Sequence, residues 1–207
     1  MSNWGAPPAG PAALPQVEGV TIGRTVSLDP RAWRRHGDDT WFGLDRSDLV
    51  ITGQGYIKLD ELSHVHRFYT DEEVMLQAVT GSAEGHHADD ITIFHGLWSH
   101  HPQPHERGAF LHQLRQPVFN YQGTQFDRFW LPGYENEQDP VQLWEAVYED
   151  RSGRPTRHVA QTCMLYSREL PAGGLEMLLA LEVAPEQGPV VHELMVGIAL
   201  AGTEFNA

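Results

Sequence analysis

The sequence predicts a mainly β or α+β fold of antiparallel strands, on three observations: many short segments alternate apolar and polar residues, turn-forming residues separate most of them, and only one stretch has helical spacing. The chain has 207 residues, of which 41% are hydrophobic and 20% charged, a balance that supports a folded core of one large or two small domains.

Residues 1–16 carry Gly5, Pro7, Pro8, Gly10, Pro11 and Pro15 with little to bury, and are expected to form a disordered lead. Val20, Ile22, Val26 and Leu28 then mark a first strand by their period of two, which Arg24 alone interrupts. Leu49 to Thr52 and Tyr56 to Leu59 flank Gly53 and Gly55, which reads as a β-hairpin turning on the glycines. Further strands are expected over His64–Tyr69, Val74–Thr80, Ile91–Leu97, Phe126–Leu131, Leu143–Tyr148, Val159–Tyr166, Leu175–Val183 and Val190–Leu200. The clearest alternation is in the last two, separated by the turn from Pro185 to Pro189. The one helix is expected near residues 105–115, where Phe110, Leu111 and Leu114 recur at helical spacing and Pro117 stops continuation.

Two similar β-rich halves, 17–101 and 102–207, are suggested by an internal repeat. Glu73 leads to Ile91 and Glu176 leads to Leu194 over the same spacing of 18 residues, an offset of 103 between the halves. Hairpins of similar length would produce the same pattern without duplication, and one compact domain containing the repeat is the other reading.

The second half and part of the first resemble the YjfK family of bacterial proteins. The resemblance rests on Phe119 to Trp130 with its Gly123 turn, Val141 to Asp150, Met164 to Glu169, Glu176 to Val183, Gly197 to Leu200 and Tyr69 to Ala78. It implies no established activity, cofactor or catalytic residue. It does imply a context, an auxiliary role beside an envelope-stress or peptide-ligation system.

The formal charge of −14, from 28 acidic against 14 basic residues, argues against a nucleic-acid partner and against direct binding to anionic lipid. No leader-like or membrane-spanning run is present, and Cys163 is the only cysteine, so a cytoplasmic protein without membrane insertion is expected. In its predicted strand Cys163 reads as a small apolar core residue.

No nucleophile elbow, phosphate loop or His-Glu-x-x-His motif occurs, so no catalytic residue is assigned and a non-enzymatic binding or scaffold module with a protein partner is expected. Trp33, Arg34, Arg35 and Trp41, aromatic and basic residues in a polar loop, are the interface candidates. The alternative is a metal-binding or metal-dependent protein, with zinc or another divalent transition metal as cofactor. Twelve histidines are present, seven of them between His86 and His112, and His100, His101 and His105 make the most compact donor set. His86-His87 and His100-His101 also read as solvated loop residues. His64 and His66 would share one face of a strand.

Overall fold

The computed structural model describes residues 7, 10, 11, 13–131 and 136–207. Of the expected disordered lead, residues 1–6, 8, 9 and 12 lie outside the described residues, while at its end Pro15 is buried and Gln16 pairs with Gly85. In chain order the elements are β1 (Gln16–Val17), β2 (Thr25–Leu28), α1 (Arg31–Arg34), β3 (Asp48–Lys58), β4 (His64–Thr70), β5 (Val74–Thr80), β6 (Gly85–His86), β7 (Asp90–His100), α2 (Pro104–Gln113), β8 (Val118–Tyr121), β9 (Thr124–Arg128), β10 (Val141–Tyr148), β11 (Arg157–Glu169), β12 (Leu175–Pro185), β13 (Val191–Ala199) and β14 (Phe205–Asn206).

Eight of these strands close into an antiparallel barrel. Strands β3, β4, β5 and β7 form one meander and β10, β11, β12 and β13 a second. The meanders join twice, through β7 with β13 and through β10 with β3. Closure leaves no open edge in the barrel, which removes the unpaired backbone groups that make open sheets prone to association.

Alternation sorts each strand's side chains between lumen and outer face. Ile57, Val65, Met75, Phe94, Leu143, Cys163, Leu165, Met177, Leu179 and Leu181 pack together inside. The opposite faces of β3, β4, β5, β7 and β13 are covered by the segment from Leu14 to Leu44 and by the C-terminal strand β14. Outside β11, β12 and β13, α2 and the β8–β9 hairpin bring Leu114, Phe119 and Phe126 onto Met164, Tyr166 and Leu178.

Buried carboxylates fasten these covers. Glu176, with no exposed surface, accepts hydrogen bonds from the Thr40 hydroxyl at 2.6 Å, the Trp41 amide at 2.6 Å and Arg168 Nε at 2.6 Å. Glu182 takes Arg107 of α2 through two bonds of 2.8 and 2.7 Å and also meets His192 Nε2 at 3.1 Å. The ring of Phe110 stacks on His192 at 4.0 Å, so α2 is held by both charge and aromatic contact.

The helix lies at Pro104–Gln113 as the spacing predicts, with Gln103 and Glu106 completing a capping box. Two expectations need correction. Gly53 and Gly55 do not turn a hairpin, because β3 runs unbroken from Asp48 to Lys58 with a bulge near Thr52. A Cβ on Gly55 would lie 1.7 Å from Glu145 Oε1, so the glycine makes room in the lumen for the Glu145 side chain of the neighbouring strand β10. The strand expected from Val20 is cut to Thr25–Leu28, since Gly19 and Gly23 take φ of 85° and 80° and turn the chain while keeping Val20 and Ile22 buried.

Candidate functional site in the barrel lumen

A polar layer crosses the middle of the lumen. Arg67 on β4 and Glu145 on β10 project inward and are 2% and 1% exposed, which makes them a fully buried ion pair. Arg67 Nη1 donates to Glu145 Oε2 at 3.0 Å and to Gln161 Oε1 at 2.7 Å, while Nε donates to Gln77 Oε1 at 3.0 Å. The Tyr69 hydroxyl and the Gln161 amide both donate to the Glu145 carboxylate. Burial is the largest single influence on Arg67 and opposes its charge, but Glu145 together with the other lumenal neighbours outweighs it and holds the guanidinium above its ordinary pKa. Burial and the Glu145 charge push the Tyr69 phenol well above its usual value, so it stays a neutral donor.

This layer separates two chambers. At one end, Ile57, Leu59, Val65, Val79, Val141, Leu143, Leu165 and Met177 line a cavity of about 420 Å³, with Phe129, Trp130 and Leu131 at its side and Arg67, Gln77, Asp90 and Thr92 supplying the polar part. The amides of Phe129 and Trp130 both donate to the Leu165 carbonyl, at 2.8 and 3.3 Å, which fixes this aromatic pair against β11. Strand pairing puts the end of β3, the start of β12 and the segment after β9 on the same rim. Five of the seven large apolar residues exposed among the described residues sit there: Leu59, Leu62, Phe129, Leu131 and Leu175. Scattered exposed apolar residues are ordinary, whereas these five share one rim of the barrel, and Leu59, Phe129 and Leu131 also line the cavity.

At the other end Arg67, Tyr69, Glu145, Gln161 and Glu193 meet Val147, Val159, Leu181 and Met195 around a cavity of about 290 Å³. Burial raises the Glu193 pKa, and the Glu145 and Glu73 charges add to the shift while Arg67 opposes it. The two chambers therefore differ in kind, one an apolar pouch with a polar floor and the other a charged, hydrogen-bonding one.

Cys163 also lies in the lumen, fully buried, and burial pushes its thiol up to about 12. It is a core residue, inert at neutral pH.

The sequence-derived candidates fall elsewhere. Trp33 is buried and packs edge-on against Phe42, while Arg34 and Arg35 are exposed and Arg35 pairs with Glu204 at 3.1 Å. Trp41 donates from Nε1 to Thr124 and packs on Tyr121, so it joins the N-terminal segment to the β8–β9 hairpin. His100 pairs with Glu106 at 3.0 Å, His101 Nδ1 lies 3.4 Å from the Val190 carbonyl, and His105 is exposed in the first turn of α2. Among the described residues no three His, Cys, Asp or Glu side chains come together to hold a metal ion. His64 and His66 do share a face, buried outside the lumen beside Tyr56, with bonds to the Tyr56 hydroxyl and to Thr80. Among the described residues no helix is long and apolar enough to cross a membrane.

The lumenal residues left no motif, yet they did leave a signal. Arg67 interrupts the series Val65, Arg67, Tyr69 on one strand face, and Glu145 interrupts Val141, Leu143, Glu145, Val147 on another. Opposite lone charges on two otherwise apolar faces are what a buried pair looks like in sequence.

Comparison with known families decides the relationship: residues 5–206 match the family model described as protein of unknown function (DUF2491). The chain belongs to the DUF2491 family. No curated protein and no solved structure gave a match. The lumenal geometry of this DUF2491 member is thus the ground for its functional reading.

Proposed function

We propose that this DUF2491 protein is a non-enzymatic binding module that takes a small, largely apolar molecule into the end of its barrel lined by Leu143, Leu165 and Met177. The observation that carries the reading is the apolar chamber of about 420 Å³ ringed by exposed Leu59, Phe129 and Leu131. That volume falls within the range of about 300–1,000 Å³ typical of small-molecule sites, and an eight-stranded barrel is the size that can hold one small ligand. Mostly apolar walls with a few polar groups at the floor suit burial of an apolar body with one oriented end.

The wider setting belongs to the same proposal. A cytoplasmic module of this kind, with its two meanders arising by duplication, could present its ligand-filled rim to a protein partner of the envelope-stress system that the YjfK resemblance implies.

The test is titration with the apolar fluorophore N-phenyl-1-naphthylamine. The wild type should bind one equivalent saturably, and Leu143→Trp, which places an indole in the chamber, should weaken binding by about tenfold or more while thermal unfolding stays cooperative. Absence of saturable binding, or binding indifferent to Leu143→Trp, would refute the reading.

A further inference from the structure

The charge count in the lumen narrows the ligand further, given the apolar-chamber reading above. Arg67 and Glu145 already neutralise one another and are both fully buried. Nη1 of Arg67 is committed to Glu145 and Gln161, and Nε to Gln77. A ligand with an anionic head would bring a second negative charge to a floor whose one buried cation is already paired, and the remaining acidic group of the chamber, Asp90, would repel it. A cationic head would meet the Arg67 guanidinium at the floor. At the floor either ion would be taken out of water without a partner of its own, because Asp90, the one carboxylate lining the chamber, is exposed to solvent, and that is the costly case.

Two neutral polar groups of the chamber keep hydrogen-bonding capacity beyond the Arg67–Glu145 network. Gln77 must turn its Oε1 to the Arg67 donor, which leaves the Nε2 amide for the chamber. Thr92, buried on β7, adds a hydroxyl that can donate or accept. Together they offer hydrogen bonds without net charge, deep in an apolar pouch.

We infer that the apolar chamber selects an uncharged amphiphile, an apolar chain or ring bearing an alcohol or carboxamide head that hydrogen-bonds to Gln77 and Thr92. The head is recognised by neutral hydrogen bonds, and charged analogues with the same apolar body are rejected by desolvation.

The experiment displaces N-phenyl-1-naphthylamine at pH 7 with four compounds sharing a ten-carbon chain: 1-decanol, decanamide, decanoate and decyltrimethylammonium. Decanol and decanamide should reach half-displacement at concentrations at least about tenfold lower than either ion. Thr92→Val, close to Thr in shape, should raise the ratio of the decanol half-displacement concentration to the fluorophore Kd by about three- to tenfold. Equal or better competition by either ion, or no competition by any of the four, overturns the inference. If Leu143→Trp still weakens fluorophore binding in that case, the chamber stands and only the head-group selection falls; if Leu143→Trp has no effect, the chamber itself is wrong.

Discussion

Removing one member of the lumenal ion pair should cost more than removing both. Arg67→Met leaves Glu145 charged and 1% exposed in the barrel, with only the Tyr69 hydroxyl and Gln161 amide as partners. Breaking a buried pair in this way costs about 3–5 kcal/mol. For a domain of this size each kcal/mol lowers Tm by roughly 2–4 °C, so the variant should melt about 6–20 °C below wild type. Glu145→Leu strands Arg67 and should lose a similar amount. The double variant Arg67→Met/Glu145→Leu buries no charge and leaves only neutral Tyr69, Gln77 and Gln161 short of partners, so it should be more stable than either single variant. Gly55→Ala gives an internal check. Its Cβ would fall 1.7 Å from Glu145 Oε1, a clash that a free carboxylate would escape by moving but one held by Arg67, Tyr69 and Gln161 cannot escape cheaply. The alanine should therefore be strongly destabilising in wild type and much less so beside Glu145→Leu. Urea denaturation with a double-mutant cycle reads the coupling. Single-variant losses below about 1 kcal/mol, or a double variant whose loss equals the sum of the singles, would refute the buried pair, since either would place those charges in contact with water.

Cys163 should not react with Ellman's reagent in the native protein at pH 8 and should react fully in 6 M guanidinium, on the order of the concentration that unfolds even stable domains, because the thiol is fully buried with its pKa pushed up to about 12. Native reaction within minutes would contradict its place in the lumen. Acid should destabilise the fold: burial holds His66, and likewise His36 and His192, below the ordinary 6.5. The unfolded chain therefore binds protons near pH 6.5 that the folded chain resists, so this stability is present above that pH and lost as pH falls towards 5. Thermal melts at pH 7, 6 and 5 should show a falling Tm, less steep in His66→Gln, and a Tm that rises towards pH 5 would contradict the assignment.

Much of the wall was legible in the sequence, because period-two alternation survives wherever a strand has one face in the lumen and the other under a covering segment. Strand β5 begins and ends at Val74 and Thr80 as the alternation predicts, and β12 begins at Leu175, though it continues two residues beyond Val183. What alternation does not encode is closure. Nothing local in β10 specifies that Ala146 pairs with Tyr56, ninety residues earlier, and that pairing turns two meanders into a barrel. The Gly53 and Gly55 error has the same origin. A glycine that makes room for a side chain from a distant strand is indistinguishable in one sequence from a glycine that turns a hairpin. The histidines stand out by number, but number does not bring side chains to one point, and His100 and His101 turn instead to Glu106 and the Val190 carbonyl. Trp33 and Trp41 sit among polar neighbours in sequence, yet tertiary packing covers them with Phe42 and Tyr121. The chamber itself emerges only when residues from both meanders, Val65 and Leu143 among them, face each other across the lumen.

The central claim is that a ligand chamber lies inside one end of the barrel, and methyl-resolved NMR during titration with 1-decanol tests it most directly. The account predicts saturable shifts of the Leu143, Leu165 and Met177 methyls, which face the chamber, with little change at Leu49 and Leu178 on the outer faces. Shifts confined to outer-face methyls, or none at saturating decanol, would contradict it.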